Sequence, residues 1–121
     1  MKRSMMQVYI KGSVEAVELY QKAFHAALVS EFRNPDNTFL HAELDVCGQI
    51  IAIAETNHEA IPGNTMQFCF QFGKGNEELI KNAYHVLEKD SQILYPLGPC
   101  FFSPLMAGLI DKFGVNWCFF I

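Results

Sequence analysis

Apolar and polar positions along the chain follow two different periods, and the switches between them mark the elements. MMQVYI (Met5 to Ile10) reads as a strand, and Gly12-Ser13 ends it, with Ser13 placed to act as a helix N-cap. Val14, Val17, Tyr20 and Phe24 then recur at helical spacing, while Glu15, Glu18, Gln21 and Lys22 occupy the other face. ALVSEFR (Ala27 to Arg33) returns to strand character. Asn34-Pro35-Asp36-Asn37 predicts a turn, because Pro fixes φ and Asn and Asp bond their own backbone. TFLHAELDV (Thr38 to Val46) and QIIAIAE (Gln49 to Glu55) follow as strands joined through Gly48.

After a loop from Asn57 to Asn64, which contains Pro62-Gly63, the same order returns. TMQFCFQF (Thr65 to Phe72) alternates cleanly. Gly73-Lys74-Gly75 breaks it, Asn76 stands where a cap belongs, and Glu77 and Glu78 suit the positive end of a helix dipole. Ile80, Ala83, Tyr84 and Leu87 form the apolar stripe of that helix. Strands are predicted over Gln92 to Leu97, Cys100 to Ile110 and Val115 to Ile121, with Pro96 and Pro104 pushing them toward edges or bulges. The fold class is therefore α+β, a βαβββ unit twice over, with units about 1–56 and 64–121 in one domain.

Composition narrows the function. Half of the 121 residues are apolar and 18% are charged, which excludes disorder. That length buries roughly two-thirds of the unfolded surface, so folding needs neither disulfide nor metal. A net charge of -4 argues against nucleic acid as a partner, since Lys2-Arg3 is the one basic cluster. No apolar run reaches membrane-spanning length, and no signal peptide is read at the N-terminus. Cys47, Cys69, Cys100 and Cys118 show no C-x-x-C spacing and read as reduced thiols of a cytoplasmic protein.

Three stretches carry a family resemblance: GSVEAVELYQKAF (Gly12 to Phe24), HAELDVCGQIIAIAE (His41 to Glu55) and DKFGVNW (Asp111 to Trp117). In this order and spacing they resemble the vicinal oxygen chelate superfamily of glyoxalase I, bleomycin-resistance proteins and extradiol dioxygenases, and within it the PhnB-like branch. Lys112 stands where that branch's D-P-F-G-x-x-W ending has Pro. The resemblance implies an incomplete barrel with a central cleft, one helix on the outside of each unit, and a homodimer. It also implies a cleft that holds a small molecule and often a divalent metal, with ligands from the first and fourth strands of each unit. The matching positions here are Met5 or Gln7, Glu55, Gln67 and Cys118. Of these, Glu55 and Gln67 are the candidate metal ligands. The set is poor in the imidazole and carboxylate groups that nickel, zinc and iron select, so no cofactor is favoured.

Alternation assigns the faces. Gln67, Cys69 and Gln71 face the cleft while Phe68, Phe70 and Phe72 face a helix. Trp117 and Phe119 go under a helix, and Cys118 and Phe120 line the cleft with Gln7 and Tyr9. Leu40, Ala42, Leu44 and Val46 go under the other helix, leaving His41, Glu43 and Asp45 toward the cleft. His41 and Glu43 share a strand face, and a carboxylate there stabilises a charged imidazole, so the pair is the candidate general base. His25, His58 and His85 are expected to be exposed, Lys74 a solvated loop residue, and Cys69 and Cys118 packed small side chains on neighbouring strands. Phe101-Phe102 and Phe119-Phe120 offer apolar surface for core or dimer interface. The expected function is binding of an apolar or aromatic small molecule without metal. The alternative is a metal-dependent lyase, isomerase or dioxygenase of the same superfamily. The methyltransferase name carried by some relatives gains nothing from the sequence, which has no glycine-rich adenosylmethionine loop.

Overall fold

The computed structural model describes residues 1–59, 61 and 63–121; Ala60 and Pro62, both in the loop expected between the two halves, lie outside the described residues. The chain divides into two compact units, Met1–Ile61 and Pro62–Ile121. The first contains β1 (Met6–Ile10), α1 (Ser13–Phe24), β2 (Ala27–Arg33), β3 (Phe39–Val46) and β4 (Gln49–Glu55). The second contains β5 (Phe68–Gln71), α2 (Glu77–Leu87), β6 (Gln92–Gly98), β7 (Met106–Ile110) and β8 (Asn116–Phe120). The repeated βαβββ order is also a repeated topology. The sheets run β1-β4-β3-β2 and β5-β8-β7-β6, with the first strand parallel to the last in each and the other pairs antiparallel. No helix among the described residues is long and apolar enough to cross a membrane.

In the first unit α1 packs on β3 and β4. Ala16, Val17, Tyr20, Ala23 and Phe24 of the helix and Phe39, Ala42, Leu44, Val46, Ile51 and Ile53 of the two strands are all buried. Val14, expected in the helix stripe, is only half-buried. Leu40, also expected under the helix, is 61% exposed. The register explains it: Phe32 pairs with His41 and Arg33 with Phe39, so Leu40 is the extra residue of a bulge and Phe39 takes the inward place.

Helix α1 is also capped differently from the sequence reading. Gly12, in the left-handed region at φ 92, is the N-cap, and Ser13 is the first helical residue. A left-handed cap favours glycine, which has no Cβ to clash. Ser13 is fully buried and its hydroxyl accepts the Phe39 N–H at 2.9 Å, tying the helix start to β3. Asn76 does stand at the N-cap of α2, but its side chain donates to the Phe72 carbonyl and makes no cap bond.

In the second unit the aromatics segregate as alternation requires. Trp117 and Phe119 are fully buried, and their rings meet Phe68, Phe70 and Phe72 at centroid distances of 5.2 to 6.4 Å. Ile80, Ala83 and Leu87 are the buried face of α2, which contacts β7. The strand expected over residues 100–110 begins only at Met106. Residues before it are irregular because Ser103 is buried and bonds the carbonyls of Leu105 and Ile121, and Pro104 cannot donate to a ladder. Pro96 lies in β6, an edge strand with two register shifts.

The turn that feeds β8 rests on Asp111, which is buried. One carboxylate oxygen accepts the N–H groups of Phe113 and Val115 at 2.8 and 3.0 Å, and the other accepts the Trp117 indole N–H at 2.9 Å. Gly114, at φ 86, closes the turn. The D-x-x-G-x-x-W spacing is thus a structural device that fixes the last strand's register to its turn.

Candidate functional site

The face of the first sheet away from α1 carries most of the sequence candidates. Gln7, Ala52 and Glu43 are register partners across β1, β4 and β3, and Tyr9 pairs with Ala54 one step along. Alternation puts His41 on the same face, with its partner Phe32 on β2. Tyr9 and Phe32 are 65% and 62% exposed. Two small side chains, Ala52 and Ala54, therefore separate polar and aromatic groups at the rim.

Glu43 is the charged centre of this face. Arg3 grips it with two hydrogen bonds, Nη1 to Oε2 at 2.9 Å and Nη2 to Oε1 at 2.8 Å. His41 Nε2 lies 2.9 Å from Oε1. A carboxylate acceptor requires that this nitrogen carry the proton, so a neutral His41 presents Nδ1 as its lone-pair nitrogen. The Arg3 hydrogen bonds first, then the His41 bond, hold the Glu43 carboxyl down at about 2 against its burial. Sequence reasoning missed Arg3. Residues 3 and 43 are linked by no local spacing, and they meet because the segment before β1 reaches across to β3.

Glu55 ends β4 at the start of α1. Its Oε2 accepts the Gly12 N–H at 2.9 Å, and its Oε1 accepts both the Ser13 N–H and the Ser13 hydroxyl at 2.9 Å. A side chain from the far end of the unit thus supplies the cap that Ser13 was expected to make. Burial pushes this carboxyl up, but the Ser13 and Gly12 hydrogen bonds outweigh it and the net shift is downward.

On the second sheet Cys69 pairs with Cys118 and Gln71 with Phe120; Gly108 and Met106 continue the two rows onto β7. Gln67 precedes β5 and its amide donates to Asn116 Oδ1 at 3.0 Å. Tyr95 lies over Gly108 so closely that a Cβ there would come within 2.9 Å of its ring. Burial, then the Cys69 and Cys100 thiols, pushes the Cys118 thiol up to about 11. Cys69 itself is exposed, not packed away as expected. His25, His58, His85 and Lys74 are exposed. Among the described residues no group of three or more His, Cys, Asp or Glu side chains is placed to hold a metal ion.

Neither a protein-family model nor a curated protein sequence matches the chain. Solved structures do. A PhnB protein from Bacillus cereus, described as a 3-demethylubiquinone-9 3-methyltransferase, is 27% identical over 98% of both chains with a TM-score of 0.81. These structural neighbours are members of the vicinal oxygen chelate superfamily, and the chain has their fold. Protein PA1353 from Pseudomonas aeruginosa shares this fold at 17% identity, with a TM-score of 0.76 over 99% of this chain and 97% of the other. So does a FosX variant from Listeria monocytogenes, a fosfomycin resistance protein solved with manganese(II) and 1S,2S-dihydroxypropylphosphonic acid. It is 12% identical, with a TM-score of 0.70 over 98% of this chain and 90% of the other. Superfamily membership covers proteins with different chemistry, so the reaction, if any, has to be read from the side chains on each sheet face.

Proposed function

We propose that the chain is a small-molecule-binding member of the vicinal oxygen chelate superfamily that takes an apolar or aromatic ligand without a metal ion. The observation that carries this reading is the commitment of Glu55. Both of its oxygens accept hydrogen bonds from Gly12 and Ser13, so coordinating a cation would uncap α1. The other candidate positions point the same way. Gln67 is a neutral amide whose Nε2 donates to Asn116 Oδ1, and Cys118 is a buried thiol, so neither adds an imidazole or carboxylate to the set. The donor set does not fit a divalent ion. The ligand would lie against the sheet faces that the helices leave bare, where Tyr9 and Phe32 offer aromatic surface beside Gln7, His41 and Glu43. Homodimer formation belongs to the same reading, with exposed Phe101 and Phe102 available for it.

The test is a ligand screen in the presence of a chelator, read by the melting temperature and by NMR shifts. Aromatic compounds are expected to raise the melting temperature and to perturb Tyr9, Phe32 and His41. Binding that appears only when a divalent ion is restored would overturn the reading.

One observation favours a second reading, metal-free catalysis. Glu43 orients His41 as a carboxylate orients a general base, leaving Nδ1 for a substrate proton. In the binding reading His41→Ala weakens ligand affinity and leaves no turnover to lose. In the catalytic reading it abolishes a reaction while binding persists.

A further inference from the structure

The second unit joins an exposed thiol to a buried one. Cys69 and Cys118 are register partners on the adjacent parallel strands β5 and β8, with side chains on the same face of the sheet. Neighbouring strands lie about 4.8 Å apart. That spacing falls within the roughly 4.4–6.8 Å between Cα atoms that a disulfide spans. The Cys69 and Cys100 thiols both lie near enough to Cys118 to push its titration up. Cys69 is open to solvent, while Cys118 is 8% exposed.

We propose that Cys69 and Cys118 are a reversible redox pair, in which a hydroperoxide oxidises Cys69 and Cys118 then closes an intrachain disulfide between β5 and β8. In the first step the Cys69 thiolate attacks the peroxide, its S–O bond forms as the O–O bond breaks, and hydroxide or alkoxide leaves. In the second the Cys118 sulfur attacks Cys69, the S–S bond forms as the S–O bond breaks, and the Cys118 proton leaves with water. Two electrons pass from the thiols to the peroxide, and a reducing thiol reverses the change by exchange. The division of roles follows from access. The peroxide meets Cys69 first, and Cys118 stays a protonated thiol until a sulfenic acid is held against it, where proximity offsets its low nucleophilicity. The pair shares its sheet face with Gln71 and Phe120, so closing the disulfide would lock that part of the sheet.

Hydrogen peroxide at low molar excess, followed by alkylation and peptide mapping by mass spectrometry, tests it on the intact chain. The expected product links the Cys69 and Cys118 peptides with loss of two hydrogens, while exposed Cys47 gives no intrachain link. Dithiothreitol restores both thiols. Cys69→Ser should leave Cys118 alkylatable after peroxide, and Cys118→Ser should leave Cys69 as a sulfenic acid trapped by dimedone. The wild-type map stands whether or not the buried Cys118→Ser variant folds. A free Cys118 beside over-oxidised Cys69, or a bridge that uses Cys100 instead, would overturn the proposal.

Discussion

Replacing Glu55 separates a capping carboxylate from a metal ligand. Glu55→Ala removes the acceptor of three hydrogen bonds at the start of α1. Losing an N-cap acceptor costs about 1 kcal/mol, losing a negative charge at a helix N-terminus about 0.5 kcal/mol, and stranding the buried Ser13 hydroxyl about 1 kcal/mol. The expected loss is therefore about 2–3 kcal/mol. Glu55→Gln keeps one acceptor oxygen and should lose about half as much. Urea denaturation followed by Trp117 fluorescence and far-UV circular dichroism measures both, and the midpoint should fall without a change in slope. The pH dependence adds a signature. Because the folded carboxyl titrates below its ordinary value of 4.5, its contribution is complete above that value and fades as pH falls below it. The gap between the wild type and Glu55→Gln should narrow in that acid range. A chelator should change nothing. A Glu55→Ala protein within about 0.5 kcal/mol of the wild type, the usual range for featureless surface changes, would refute the capping argument.

Asp111→Ala removes the acceptor of the Phe113, Val115 and Trp117 N–H groups, and should cost about 3 kcal/mol and red-shift the Trp117 emission; an unchanged spectrum and midpoint would count against its role. Arg3→Ala should raise the Glu43 titration from about 2 toward the ordinary 4.5, as followed by side-chain carboxyl NMR. Stability that Glu43 supplies above 4.5 and loses through about 2 would then be lost at higher pH, and a Glu43 midpoint that stays near 2 would show that His41 alone suffices.

Legibility from sequence tracked how local the cause was. Element order and the faces of β5 and β8 were readable because a period of two or of 3.6 is written in consecutive residues. Phe68 and Phe70 duly gather on Trp117 and Phe119. Leu40 was misassigned because one bulged residue reverses the alternation, and neither strand advertises the bulge. Ser13 looks like an N-cap on residue type alone; the acceptor that takes its place arrives from Glu55, 42 positions away. Of the candidate site, the His41–Glu43 contact follows from i, i+2 spacing on a strand. The Arg3 clamp, which sets the Glu43 charge, depends on a chain path that no window of sequence contains.

The most direct test of metal-free binding is elemental analysis of the untagged protein, before and after incubation with manganese, nickel, zinc and iron(II) salts and gel filtration. The account predicts well under stoichiometric metal in every case, with Glu55→Gln indistinguishable from the wild type. Near one metal per chain, lost in Glu55→Gln or Gln67→Ala, would contradict it and return the chain to the metal-dependent enzymes of its superfamily.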